Sequence, residues 1–215
     1  MCWTFAFRLF YHPQVSESPK EEIPLIQLVC ATAEEIGPFP GIELGLGSIE
    51  VAARLAAHLA HNRPEAVLIV GTAGSLPNGP SLGSVVAAKR IGFSPGVAAM
   101  GLGYVPKPPT HIFCDPTLIL SLGLPEVDVL TVGAVTTDSV LVDRLGDSWQ
   151  IEQMEAYGAA LACQQAKVPF AAIYGIANKC GPDAHSQWLA NVSAARESVY
   201  ATLAPLKHQF KPTQA

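Results

Sequence analysis

Hydrophobic and polar positions along this chain follow two alternating periods. Residues 25–30 (LIQLVC), 66–70 (AVLIV), 82–91 (LGSVVAAKRI), 127–132 (VDVLTV) and 170–176 (FAAIYGI) are apolar runs with many β-branched side chains, as expected of strands buried on both faces. Between them, small and apolar residues recur at helical spacing. Ile49, Ala52, Ala53, Ala56, Leu59 and Ala60 are expected to form the inner face of one helix, and Ala156, Ala159, Ala160, Leu161 and Cys163 that of another. Lys167, Val168 and Pro169 stop the second pattern, and a last helix is expected over residues 186–206. Strands alternating with helices predict an α/β fold: a single domain with a mixed central β-sheet flanked by helices.

The same pattern sets the boundaries. Residues 1–23 end in the polar run VSESPKEE and read as an N-terminal extension, in which TFAFRLF is either an edge strand or simply upstream chain. The domain is expected over 24–207, followed by a polar, frayed tail at 208–215. Residues 92–116 are rich in Gly and Pro and predict a long loop or lid flanking the functional site.

Polar residues set into this apolar frame are the candidates for chemistry. Glu155 opens the 156–163 helix and Asn178 follows the 170–176 strand, at the carboxyl end where α/β sheets bind ligands. Glu34 and Glu35 lie in the turn after the first strand. Gly71-Thr72-Ala73-Gly74 follows 66–70 as a turn whose small residues let backbone N–H groups and the Thr72 hydroxyl face an anion or a water. Thr136 follows the 127–132 strand. Each has a plainer reading too: acids in a first helical turn complement the helix dipole, and a glycine turn can end a strand without chemistry. The Gly45–Leu46–Gly47 turn is a weak phosphate signal and is assigned none.

Taken together, QMEA at 153–156, the strand after it and its terminal Asn178 resemble the nucleoside phosphorylase and nucleosidase superfamily, which includes purine nucleoside phosphorylases, methylthioadenosine nucleosidases and futalosine hydrolases. The resemblance covers roughly residues 25–207 and implies cleavage of the N-glycosidic bond of a purine nucleoside. It implies that Glu155, after Met154, grips the ribose hydroxyls. Glu35 activates the attacking water, Thr72, Ala73 and Gly74 face that water or a phosphate, and Thr136 lies in the base pocket. Asn178 faces the base. Where relatives carry Asp there, the acid can protonate purine N7; an amide can only donate a hydrogen bond, which favours a 6-oxopurine. The Ala31–Glu35 start and the Asn178, Gly181-Pro182 and Trp188 series resemble futalosine hydrolases, although Asp183 and His185 stand where basic residues are expected.

A phosphorylase needs cations around phosphate. The arginines are 8, 63, 90, 144 and 196; none lies in a loop like that of the hexameric purine phosphorylases, and Arg90 is the one candidate. Hydrolysis is therefore expected, with phosphorolysis, and so inorganic phosphate as co-substrate, as the alternative. A degenerate nucleoside-binding protein is a further alternative, because Asn178, Ser84 and the lack of an aromatic at Thr136 depart from the family pattern. Phe113, Tyr104 and Trp149 are the aromatics considered for stacking on the base. A dinucleotide-binding domain is discounted for want of a GxGxxG.

Composition narrows the classes. Net charge is -5, with 49% hydrophobic and 14% charged residues, which gives no basic footprint for nucleic acid. Five cysteines without CxxC spacing predict reduced thiols in a cytoplasmic protein, with neither a disulfide framework nor a metal site, and no cofactor is expected. No apolar run approaches the roughly 20 residues of a membrane span. So apolar a chain also predicts a homodimer or higher homo-oligomer.

Overall fold

A computed structural model describes residues 25–107 and 109–212; the N-terminal extension and its TFAFRLF run lie outside the described residues. In chain order the elements are β1 (Ile26–Cys30), β2 (Ile42–Glu43), α1 (Ser48–His61), β3 (Ala66–Ser75), β4 (Val85–Ser94), β5 (Ile112–Phe113), α2 (Pro116–Leu122), β6 (Glu126–Val132), α3 (Ser139–Gly146), β7 (Ile151–Gln153), α4 (Ala156–Ala166), β8 (Phe170–Lys179) and α5 (Ala184–Leu203). The strands form one mixed sheet in the order β2-β1-β3-β7-β6-β4-β5, with β8 paired to both β3 and β4. The loop β3-β7-β6-β4-β8 therefore closes on itself as a small barrel. Its β3–β8, β4–β6 and β6–β7 pairings are parallel, and β3–β7 and β4–β8 antiparallel.

Strands buried on both faces explain the continuous apolar runs. One core cluster, with Val67, Ile69, Val86, Ile91, Val129, Ile151 and Ile176, meets α1 and α4; a second, with Leu28, Leu68, Ile173, Val199 and Leu203, lies against α5. α1 and α4 approach closely because Gly158 has no side chain: a Cβ there would stand 2.0 Å from the Ser48 carbonyl oxygen. That contact fixes the start of α4 against the start of α1, which matters for Glu155.

Several expectations are corrected. α1 buries Val51, Leu55 and Leu59, whereas Ile49 is 88% exposed, so the helix is rotated from the expected face. Abundant alanines made several faces look apolar, and the larger side chains decide. β3 does not stop at Val70 but continues through Gly71-Thr72-Ala73-Gly74, hydrogen-bonded to β8 and, at its end, to β7. β8 likewise runs past Ile176, so Asn178 lies within the strand. Residues 92–116 are not one loop: β4 reaches Ser94, β5 follows, and α2 starts at Pro116 with Asp115 accepting the N–H groups of Thr117 and Leu118 at 2.9 and 3.1 Å. The described part of the tail is tied down as far as Lys211, since Phe210 is 4% exposed and the Lys211 N–H donates to the Ile26 carbonyl at 2.8 Å. Among the described residues, no helix is long and apolar enough to cross a membrane.

Candidate active site

Chain ends of β3, β7 and β8, the turn after β1 and the first half of α5 surround a cavity of about 450 Å³. Of the residues singled out by sequence, Glu35, Thr72, Ala73, Gly74, Met154, Glu155 and Asn178 line it. Thr136 does not. It is buried behind the wall, with its N–H donating to Glu152 Oε1 at 2.8 Å and its carbonyl accepting the Gly181 N–H, while Val135 and Thr137 face the cavity in its place.

Glu35 comes from a single 3-10 turn after β1. Its Oε2 accepts the N–H groups of Ala31 and Thr32 at 3.0 and 3.2 Å, and its Oε1 that of Thr72 at 3.4 Å. Gly71 makes this possible, because a Cβ at that position would stand 2.8 Å from Oε1. Burial pushes the Glu35 pKa up to about 7; the Thr32, Ala31 and Thr72 amides pull against it, and the charge of Glu155 adds to the rise. A carboxyl so balanced can take up and release a proton near neutrality.

Glu155 stands at the N-terminus of α4, yet does not cap it. The Gln153 side-chain oxygen accepts the Ala156 N–H at 2.7 Å and the Thr131 hydroxyl accepts that of Tyr157 at 2.9 Å, so the helix's free N–H groups are met by others. The Glu155 carboxylate is left for the cavity, held by the N–H of Gly47 at 2.9 Å and its neighbour Met154 at 3.1 Å. Gly47 reaches it with φ +83°, so the glycine turn assigned no chemistry clasps a site carboxylate. Burial lifts the Glu155 pKa above the usual carboxylate range.

Asn178 is aimed by an irregularity in pairing. Ala73 pairs with Ile176 but Gly74 with Asn178, so Ala177 is an extra residue that bulges β8. Without it, the alternation of the strand would put Ala177 opposite Gly74. The Asn178 amide donates one hydrogen bond to the Lys179 carbonyl at 3.1 Å.

The structure also gives cavity roles that the sequence did not show. The aromatic of the cavity is Trp188 of α5, whose Nε1–H donates to the Thr72 hydroxyl at 3.2 Å and whose ring stacks with His185. Tyr104 and Phe113 are exposed, and Trp149 packs under Gly92 beside His111. Arg90 is not in the site; it pairs with Asp128 at 2.6 Å and lies over Trp149. Arg196 of α5 lines the cavity instead. Glu152 lines it too, 3% exposed. The i, i+4, i+8 spacing of Trp188, Val192 and Arg196 was the available signal that these two share a face of α5.

Beneath the floor lies a second cavity of about 10 Å³, about the volume of one water, lined by Glu35, Thr72, Glu155 and Tyr174. The Tyr174 hydroxyl is buried there without a hydrogen-bond partner.

Comparison with known proteins agrees with this architecture. The chain is similar to the futalosine hydrolase of Thermus thermophilus, 30% identical over 165 residues that cover 70% of this chain and 73% of that protein. Among solved structures, the 5'-methylthioadenosine/S-adenosylhomocysteine nucleosidase of Colwellia psychrerythraea in complex with adenine superposes with a TM-score of 0.74 at 15% identity, covering 90% of this chain and 98% of that one. The futalosine hydrolase of Helicobacter pylori gives 0.73 at 16% identity, covering 85% and 96%. At these identities the likeness is one of fold. The family model described as Phosphorylase superfamily matches residues 38–206, from just after the Glu35 turn to beyond α5, and the chain is an enzyme that belongs to that superfamily.

Proposed function

We propose that the enzyme hydrolyses the N-glycosidic bond of a purine nucleoside, with a preference for 6-oxopurines. The observation that carries this reading is the convergence of Glu35, Glu155 and Asn178 on one cavity. Cleavage passes through a sugar with oxocarbenium character and leaves negative charge on the base. Glu155 accepts hydrogen bonds from the ribose hydroxyls and supports the developing positive charge. Glu35 takes the proton of the attacking water, a role that its pKa near 7 suits. Thr72, Ala73 and Gly74 form the floor on which water and ribose meet, Met154 packs beside the sugar, and Trp188 offers a flat wall to the base. Asn178 donates to the leaving purine, which suffices for hypoxanthine or guanine but does not replace an acid for adenine.

Phosphorolysis is the second reading, and Arg196 is the observation that favours it, since it brings a cation to the cavity wall. Against it, the small cavity beside Glu35 has the volume of a water, well short of a phosphate. Incubation with inosine, guanosine, futalosine, adenosine and methylthioadenosine, with and without phosphate, separates them by chromatography of base and sugar. Hypoxanthine or guanine, together with the sugar portion carrying a hydroxyl at C1' (free ribose from inosine or guanosine, the substituted sugar from futalosine), is expected independent of phosphate. A sugar 1-phosphate would replace hydrolysis by phosphorolysis, and preferential adenine release would overturn the role of Asn178.

The proposal includes assembly as a homodimer or higher homo-oligomer. Leu46 and Val135 line the cavity yet are 66% and 51% exposed, apolar surface that a second copy would cover beside the site. Light scattering at micromolar concentration should give a multiple of the 22.7 kDa chain mass. A fully active monomer would refute it.

A further inference from the structure

Glu35 stands on a short support. Its turn, Ala33–Glu35, is a single 3-10 winding in which the Glu35 N–H donates to the Thr32 carbonyl at 3.0 Å, and the Ile36 and Gly37 N–H groups to the Ala33 carbonyl at 3.3 Å. The Glu34 carbonyl is left over. Gly37 donates to Ala33 instead, and Pro38, where the next helical donor would stand, has no N–H to give.

α5 supplies the donor. The Tyr200 hydroxyl donates to the Glu34 carbonyl. The ring of the same side chain lies against Gly37, where a Cβ would stand 2.6 Å from Tyr200 Cζ, and Gly37 has φ +54°, in the left-handed region that suits glycine. Phe39 follows, its ring centroid 6.4 Å from that of Tyr200 and 5.8 Å from that of Phe210. The chain from Glu34 to Phe39 thus wraps one aromatic ring. Arg196, one turn before Tyr200, lines the cavity, so the same helix bounds the cavity and fastens the turn that carries Glu35.

We propose that Tyr200 is a positioning residue for hydrolysis: by holding the Glu34 carbonyl it fixes the next residue, Glu35, with its carboxyl against the Thr72 N–H. This role rests on the reading of Glu35 as the base that takes a proton from water. Tyr200 does not line the cavity and acts through the main chain. A small displacement of a reacting group is enough to slow a proton transfer whose geometry is set in advance. Around Glu35, burial pushes the Cys30 thiol up to about 12 and the Tyr174 hydroxyl well above its ordinary value, so both stay neutral near pH 7. Glu34 is held below the usual carboxylate range, chiefly by its own main-chain N–H, and stays charged, as does Arg196 beside it. Glu155, held by the Gly47 and Met154 N–H groups, does not depend on Tyr200.

The test is Tyr200→Phe, which keeps a ring against Gly37 and removes the donor. kcat should fall about 3- to 10-fold, the range for one neutral hydrogen bond, with KM changed by less than about twofold. The acid limb of the pH–rate profile, expected at about 7, should move to lower pH, because a loosened turn admits water to Glu35 and relieves the burial that raised its pKa. In a Glu35→Gln background, Tyr200→Phe should change the residual kcat by less than about twofold, since the residue through which it acts is gone. A merely structural tyrosine would lower the melting temperature and leave kcat and the limb of the folded enzyme in place. Gly37→Ala, whose Cβ would push the ring off the turn, is the second variant and should move kcat and the limb in the same directions. Unchanged kcat and limb in Tyr200→Phe, or an equal loss of kcat with and without Glu35, overturns the assignment. Full activity of Glu35→Gln would remove Glu35 as the base and this role of Tyr200 with it. An inactive Glu35→Gln beside a silent Tyr200→Phe would remove Tyr200 alone.

Discussion

Glu155→Gln lowers kcat by about 10²- to 10³-fold while the melting curve stays close to that of the unaltered enzyme. The amide oxygen of Gln can still accept the Gly47 or Met154 N–H, and α4 is capped by Gln153 and Thr131 rather than by residue 155, so the fold loses little. What disappears is the negative charge facing the sugar as it becomes cationic, an interaction made chiefly in the transition state. A second consequence follows from the geometry of the two acids. The charge of Glu155 helps to raise the pKa of Glu35, so its removal should move the acid limb of the residual activity to lower pH. Base release and thermal melting measured together test the first point, and a pH–rate profile the second. Turnover near that of the unaltered enzyme would remove Glu155 from the site.

Glu35→Gln lowers hydrolysis by about 10²- to 10⁴-fold, the range for loss of a general base, and acts mainly on kcat because Glu35 meets the water rather than the base. The sign of the pH dependence follows from the same group. Only the carboxylate can accept a proton, and burial has raised its pKa to about 7. Activity should therefore be retained above pH 7 and fall by about tenfold per pH unit below it as Glu35 protonates. An ordinary carboxylate would place that limb near pH 4.5. In the Gln variant the limb at about 7 should vanish along with most of the rate. A profile flat down to pH 5 in the unaltered enzyme, or a Gln variant with more than a tenth of the activity, would exclude Glu35 as the base.

How much of this was legible in the sequence differs from element to element. The parallel, doubly buried strands were readable because every side chain in 66–70 and 170–176 must be apolar whichever face it takes. The rotation of α1 was not, because alanine tolerates burial and exposure alike and the scattered Ala52, Ala53 and Ala56 outvoted Val51 and Leu55. β7 is three residues long and carries Glu152 and Gln153, polar residues that conceal a buried strand. α2 was signalled by Asp115-Pro116 and Gly123, a cap, a first-turn proline and a left-handed stop, but its start fell at the end of the 92–116 stretch read as loop, and no helix was expected after it. In the site, residues of the short strand-end motifs were found, and Trp188 was noted in the series after Asn178 but not as the aromatic of the cavity; Arg196 lies two turns further along α5, and Arg90 was drawn away by Asp128. Glu152 escaped because strand pairing brings it to the cavity wall, and no local pattern reports which strand lies beside which.

The bulge at Ala177 has a bearing on how the base preference could change over evolutionary time. Because side chains alternate faces along a strand, gaining or losing one residue in β8 before Asn178 would turn the amide out of the cavity and bring an alanine or a lysine to its position, a change of kind with no intermediate. Drift in length is thus closed off in β8 before Asn178. A descendant enzyme with another base preference would be expected to keep the number of residues in β3 and β8 and to differ in the identity of the side chain at 178.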